Sequence, residues 1–310
     1  MTNEELIQVA EEFGTPTYVY DSNVMINQYQ NLHNAFKPLD VKLHYAIKAL
    51  SNVNILRLLK QQGAGLDAVS IEEVQLGLRA GYSPEKIMYT PNCVSFPEIQ
   101  AAVELGVHIN LDNLSMLEKF GNHYGGTVGV CVRINPHIMA GGNSNISVGH
   151  IDSKFGISIH QLRHVVRIAE NYEMNIMGLH MHTGSDIIDA DVFLRGADLL
   201  YQAAEYFPDL QFMDFGSGFK VGYKEGDMFT DVDKIGSKIV DSFKEFCNGY
   251  GRELELWFEP GKYIVSDCGK FLVETNVVKQ TTSTVFAGVN SGQNHLLRPC
   301  LLYTSDAADE

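Results

Sequence analysis

A chain of 310 residues, 45% of them hydrophobic, can bury the core of one large barrel, or of a barrel with part of a second domain. Its formal net charge of −15 argues against nucleic acid and anionic membrane surfaces as partners. What remains is a protein that handles a small molecule.

The chain opens on MTNEELIQVAEEFG, an acidic amphipathic segment without the basic start and apolar core of a signal peptide. No apolar run reaches the roughly 18 residues a membrane span needs. A cytoplasmic location is therefore expected. The arm Pro16–Asp21 (PTYVYD) follows, and then short apolar strands alternate with longer amphipathic helices. The predicted strands are Lys42–Lys48, Gly65–Ser70, Lys86–Thr90, Val107–Asp112, Val128–Asn135, Gly178–Ser185, Gln211–Gly216 and Glu255–Glu259. Helices are expected between them at Asn54–Gln62, Ile71–Ala80, Phe96–Leu105, Ile159–Tyr172, Asp191–Tyr206 and Val232–Tyr250. Such alternation implies parallel strands joined by helical crossovers. Eight units, with no G-x-G-x-x-G after the first strand, favour an α/β chain built as a (β/α)8 TIM-type barrel over an open doubly wound sheet. Two glycine-containing loops stand out, Met139–Gly149 and Gly216–Gly226. Beyond the eighth strand, Lys270–Gln280 and Thr281–Asn290 lose the helical period and are rich in Val, Thr and Phe, so they read as strands. The expected division is a barrel over 22–269 and the start of an all-β domain from 1–21 with 270–299. Cys93, Cys131, Cys247, Cys268 and Cys300 are scattered and form no C-x-x-C pair, so neither a disulfide framework nor a zinc site is expected.

Active sites of such barrels lie at the C-terminal strand ends, and the reactive side chains of this sequence fall there. Lys48 closes the first strand, as an amine for Schiff-base chemistry or as a snorkelling lysine. Asp67 and Ser70 close the second, Arg133 and Asn135 the fifth. Gly216-Ser217-Gly218 after the seventh is either a phosphate loop or a plain turn, and Ser185 could add a hydroxyl to the same phosphate. Glu259 in FEPGK is either the partner of a cofactor's ring nitrogen or a turn residue. His180 and His182 alternate with apolar neighbours and should face the interior, one of them able to lie over a cofactor ring. The His-x-His pair also suits a metal, but it stands on the sixth strand, with no histidine from 183 until His295, and no metal is expected.

Nine motifs in order resemble the alanine-racemase-like, fold type III decarboxylases that use pyridoxal 5′-phosphate. They are GTPTYVYD (14–21), YAIKAL (45–50), GLDAVSIEE (65–73), RINP (133–136), SKFGI (153–157), GLHMHTGS (178–185), DFGSGF (214–219), EPGK (259–262) and GVNSGQNHLLRP (288–299). The resemblance implies that Lys48 is the Schiff-base lysine, that His182 stacks on the cofactor ring and that Glu259 faces its pyridine nitrogen. It also implies that Ser185, Gly216, Ser217 and Gly218 bind the phosphate, while Asp67 and Arg133 support the Schiff-base end. Lys262 and Arg298 match substrate-binding positions. Lys262 stands where the family usually has arginine, which keeps the charge but loses the bidentate fork. Ser217 replaces the second glycine of the family's loop.

Among these enzymes the resemblance is closest to those that convert meso-diaminopimelate to L-lysine, and that reaction is the expectation. Alternatives are a decarboxylase of ornithine, arginine or carboxynorspermidine, or a non-catalytic barrel that only binds pyridoxal phosphate. After Pro299 the resemblance stops. CLLYTSDAADE looks like a translated library adapter, so residues 300–310 are expected to be non-native and the β domain truncated. Cys300 is then no candidate for the family's catalytic cysteine, and Leu302 occupies the place of a family tyrosine. The resemblance implies a full-length homodimer with composite sites, and a 310-residue chain that is poorly active and aggregation-prone.

Overall fold

The computed structural model describes residues 1–138, 153–223 and 226–296. The loop Met139–Gly149, Arg298 and the segment 300–310 lie outside them, as do two residues of the loop 216–226. The described residues divide into two compact units: residues 22–267, and residues 1–21 with those from 268 onward.

In chain order the elements begin with α1 (Asn3–Phe13), β1 (Thr17–Tyr20), α2 (Ser22–Ala35), β2 (Lys42–Ala46), α3 (Val53–Gln61), β3 (Gly65–Ala68) and α4 (Ile71–Ala80). Next are β4 (Ile87–Tyr89), α5 (Phe96–Glu104), β5 (His108–Leu111), α6 (Leu114–Tyr124), β6 (Val130–Asn135) and β7 (Ile157–Ser158). Then come α7 (Leu162–Asn171), β8 (Ile176–His180), α8 (Ala190–Ala204), β9 (Phe212–Asp214), α9 (Val232–Tyr250), β10 (Glu255–Phe258) and α10 (Lys262–Val265). The chain proceeds through β11 (Gly269–Leu272), β12 (Thr275–Gln280) and β13 (Val285–Val289).

The larger unit is a closed parallel barrel. Its strands run β5-β4-β3-β2-β10-β9-β8-β6, and β5 pairs with β6 to complete the circuit. Each of the eight barrel strands falls on one of the eight predicted segments, most of them shorter than predicted. The dipeptide β7 joins outside β6 in parallel, a strand the sequence reading missed because two residues carry no period. Several helices start and stop where the local chemistry directs. Ser70 Oγ accepts from Glu73 N–H at the start of α4, and Gly81, at φ +96°, ends it. Asn113 caps α6 and Asp231 caps α9 in the same way. The buried face of α9 is Ile235, Gly236, Ile239, Val240 and Phe243, one stripe of a 3.6-residue period.

Toward its N-terminal end the barrel is plugged by Met88, Cys131, Phe212 and Trp257, contributed by four different strands. The Phe212 and Trp257 rings stack at 3.8 Å. Gly178 makes room for them, because a β-carbon there would meet the Phe212 ring at 2.2 Å. Burying each large apolar side chain contributes about 1.5–3 kcal/mol. The core therefore holds the strand ends rigid while the polar residues collect at the opposite mouth.

In the smaller unit β1 pairs antiparallel with β11, Thr17 opposite Leu272 and Tyr20 opposite Gly269. Tyr18 stacks on Phe271 at 4.5 Å. Asn290 Nδ2 donates to Thr15 Oγ1 at 2.8 Å. β12 and β13 form a separate antiparallel hairpin. The predicted strand Lys270–Gln280 is thus two strands, β11 and β12, in different sheets.

Candidate active site

At the C-terminal mouth of the barrel lies a cavity of about 540 Å³. Its wall brings together Lys48, Asp67, Arg133, His182, Ser185, Ser217, Gly218, Glu259 and Lys262. Gly216 sits buried next to Ser217, and Arg298 lies outside the described residues.

Main-chain bonds sew the loops of this mouth together. Ala46 N–H donates to Pro260 O at 3.1 Å, tying the YAIK segment to the EPGK turn. Glu259 N–H donates to Gly216 O at 2.7 Å, and Met181 N–H to Asp214 O at 2.9 Å. Two of the strands that end earlier than predicted bear on the site. β2 stops at Ala46, and Lys48 is carried by a 3-10 turn over Ile47–Ala49, which leaves it exposed at the cavity. β8 stops at His180, so His182 and Ser185 belong to the loop that follows.

Glu259, just past β10, is buried and has four neighbours of consequence. Thr90 Oγ1 donates to its Oε1 at 3.4 Å. His180 Nε2 lies 3.2 Å from its Oε2, close enough for electrostatic attraction but off the line of a hydrogen bond. His182 and Arg133 supply further attraction. Burial opposes the charge on Glu259, yet His180, His182 and Arg133 outweigh it and hold this carboxyl below the usual range. His180 is itself fixed from behind. Asn110 Nδ2 is 2.7 Å from its Nδ1, and an amide nitrogen only donates, so Nε2 carries the ring proton toward Glu259. Burial lowers the pKa of His180, while the neighbouring Glu259 works in the opposite direction.

His182 is oriented by the glycine loop. Ser217 N–H donates to its Nδ1 at 3.2 Å, which again leaves the proton on Nε2. Burial, with Arg133 and Lys48 nearby, pushes its pKa well below the ordinary value. The loop itself is geometrically demanding. Gly216 and Gly218 have φ of +62° and +123°. A β-carbon on Gly218 would stand 2.2 Å from Gly184 O. Of the loop's amides, Gly216 N–H is taken by Asp214 Oδ1 at 2.8 Å and Ser217 N–H by His182. The donors left for a phosphate are Gly218 N–H and the hydroxyls of Ser217 and Ser185.

Asp67 is buried, and its Oδ1 has no hydrogen-bond partner among the described residues. Burial, and then repulsion by Glu259, raise its pKa to about 8. Arg133 places its guanidinium carbon 4.9 Å over the Phe155 ring. Lys262 Nζ lies 2.5 Å from Asp186 Oδ1.

Four contributors escaped the sequence reading. Asn110 is a polar residue inside an apolar strand, a visible signal. Asp214 begins the DFGSGF motif and supports the glycine loop. Thr90 and Asp186 gave no signal, since each matters only through a partner far along the chain. His180, Asp214 and Glu259 also bring their ligand-type atoms within 4.8 Å of one another, but His180 and Asp214 are fully buried beneath the cavity wall.

The family model described as pyridoxal-dependent decarboxylase, pyridoxal binding domain, matches residues 23–266, the whole barrel. The chain belongs to the pyridoxal-dependent decarboxylases. It is 34% identical over 305 residues to the diaminopimelate decarboxylase of Methanothermobacter thermautotrophicus, covering 96% of this chain and 71% of that protein. With the diaminopimelate decarboxylase of Escherichia coli it shares 30% over 305 residues, covering 97% and 71%. The crystal structure of the Helicobacter pylori diaminopimelate decarboxylase complexed with L-lysine superposes with a TM-score of 0.86 at 29% identity, covering 97% of this chain and 76% of that one.

The mouth of this decarboxylase barrel fits its family's cofactor on its own geometry. Gly218, which carries no side chain, lines the cavity beside the hydroxyl-bearing Ser217 and Ser185. Asp67 Oδ1 is a buried acceptor without a partner. Glu259 is a carboxylate held in its ionised form at the cavity wall.

Proposed function

We propose that this chain is the pyridoxal-phosphate-dependent enzyme that decarboxylates meso-diaminopimelate to L-lysine. The observation that carries the reading is the meeting of Lys48, His182 and ionised Glu259 around one cavity in a barrel of this family. Diaminopimelate decarboxylases are among the relatives it matches along nearly its whole length.

When bound, pyridoxal phosphate supplies an aldehyde for amines and an electron-withdrawing ring for the charge left by departing carbon dioxide. The chain's residues do the rest. Lys48 Nζ would hold the aldehyde end. Glu259 would accept a hydrogen bond from the protonated ring nitrogen and keep that proton in place. Its own ionisation is secured by His180, oriented by Asn110. His182 offers its ring face to the cofactor, with its tilt set by Ser217 N–H. Gly218 N–H, Ser217 Oγ and Ser185 Oγ would hold the phosphate. Arg133 and Asp67 order the polar groups near Lys48. Lys262 takes a substrate carboxylate.

The protein is a cytoplasmic homodimer in this reading. No helix among the described residues is long and apolar enough to cross a membrane. The test is release of carbon dioxide and formation of lysine from meso-diaminopimelate, against a panel of ornithine, arginine and carboxynorspermidine. Borohydride reduction followed by peptide mapping should leave the pyridoxyl group on Lys48. Turnover of ornithine in preference to diaminopimelate, or labelling of a different lysine, would overturn the assignment.

A further inference from the structure

The ion pair between Lys262 and Asp186 joins residues 76 positions apart at a distance of 2.5 Å. Lys262 lines the catalytic cavity. Neither side chain is sealed off, with 28% and 23% of their surfaces accessible, so an incoming group can reach both. Asp186 is held in place by more than this pair. Its backbone lies in the left-handed region at φ +63°, where side-chain-bearing residues are uncommon. The next residue, Ile187, is buried, donates its N–H to Gly218 O at 2.8 Å and bridges to Phe219. The residue before, Ser185, lines the cavity. Asp186 is thus pinned between the cavity wall and the core, aimed at Lys262.

We infer that Asp186 is a specificity residue that works with Lys262 as a two-charge clasp for the distal end of the substrate. The inference rests on the decarboxylation of meso-diaminopimelate proposed above. The distal end of that substrate, which survives as the α-amino acid end of lysine, carries an ammonium and a carboxylate on one carbon. An ammonium has three N–H donors, and Asp186 Oδ1 uses one of them. The substrate carboxylate takes another, while the substrate ammonium takes Asp186, so that four alternating charges close a ring. A ligand with only a distal ammonium brings a cation to Lys262 without an anion to offset it. One with only a distal carboxylate meets Asp186 in the same way. The pair therefore favours a zwitterionic end over either half of it, by building in repulsion as well as attraction.

Three ligands separate these cases while sharing the same reacting-end amine. L-Lysine keeps both distal charges, 6-aminohexanoate lacks the distal ammonium, and cadaverine lacks the distal carboxylate. Affinities for the cofactor-loaded protein, measured by calorimetry, should favour lysine over each of the others by about tenfold or more, the scale of a charged hydrogen bond. Asp186→Asn should abolish the preference over 6-aminohexanoate and retain the preference over cadaverine. Lys262→Met should do the reverse. If Asp186→Asn weakens all three ligands alike, its ratios stay as in the parent, the residue is merely structural, and the clasp is overturned while the diaminopimelate reading stands. If the parent protein itself binds cadaverine better than lysine, the diaminopimelate reading falls and the clasp with it.

Discussion

Asp67 concentrates the electrostatic cost of the barrel mouth in a single side chain. It is buried, one oxygen lacks a partner, and burial with the nearby Glu259 raises its pKa to about 8. An unfolded carboxyl titrates near about 4. The folded protein therefore keeps a proton that the unfolded chain has already lost. Stability from that proton is fully present below about pH 4 and is lost as the pH rises through about 8. An asparagine cannot ionise, so it should remove this dependence. Cofactor-free Asp67→Asn should resemble the parent near pH 4 to 5. At about pH 9 it should be the more stable, by on the order of a few kcal/mol. Urea unfolding of both proteins at the two pH values checks this, and an equal difference at both would reject the assignment of the cost to Asp67. Legibility at this scale was uneven. Lys48, Asp67, His182 and Glu259 stand out because a strongly polar residue ending an apolar strand is conspicuous. The charge state of each was not readable, because it depends on neighbours from other strands.

Among the elements, the loop after β9 is the one whose conformation the site depends on most directly. Gly218 has φ +123°, and its missing β-carbon would otherwise press on the backbone oxygen of Gly184, which cannot rotate away. Gly218→Ala should therefore cost about 2 kcal/mol or more in stability. It should also weaken pyridoxal phosphate binding by at least roughly tenfold, through displacement of an amide that would face the phosphate. Thermal melting and cofactor titration of the reconstituted protein measure the two effects. Parent-like values in both would mean that the loop is a plain turn. The strands and helices were legible because period-2 and period-3.6 patterns, with caps such as Ser70, Asn113 and Asp231, act within a few residues. Their exact ends were less so. β2 gives way to a 3-10 turn at Ile47 and β8 stops at His180, since strand pairing ends where the barrel mouth opens.

At the scale of the whole molecule, the hairpin of β12 and β13 is the exposed apolar feature of the smaller unit. Val277, Val278, Val285 and Phe286 are 59%, 65%, 63% and 53% accessible. A two-stranded hairpin is marginal in water alone, and apolar side chains exposed on both of its faces drive association. The 310-residue chain should self-associate as its concentration rises, one copy against another through this hairpin. Sedimentation velocity should show the Val278→Lys, Phe286→Lys double variant remaining smaller than the parent at matched concentration. Equal association of the two would place the contact elsewhere. The sequence by itself determined that eight parallel strands alternate with helices, and that reactive side chains cluster at one end. Parallel strands all point the same way, so residues that close them must share a mouth. Only the tertiary structure decided which of those residues meet. Asn110 reaches His180 and His180 faces Glu259 because the sheet closes on itself. Ser217 N–H finds His182, and Asp186 finds Lys262, because loops from neighbouring strands fold over the same rim. Such pairings depend on barrel closure and loop conformation, which are non-local properties that leave no period or spacing along the chain.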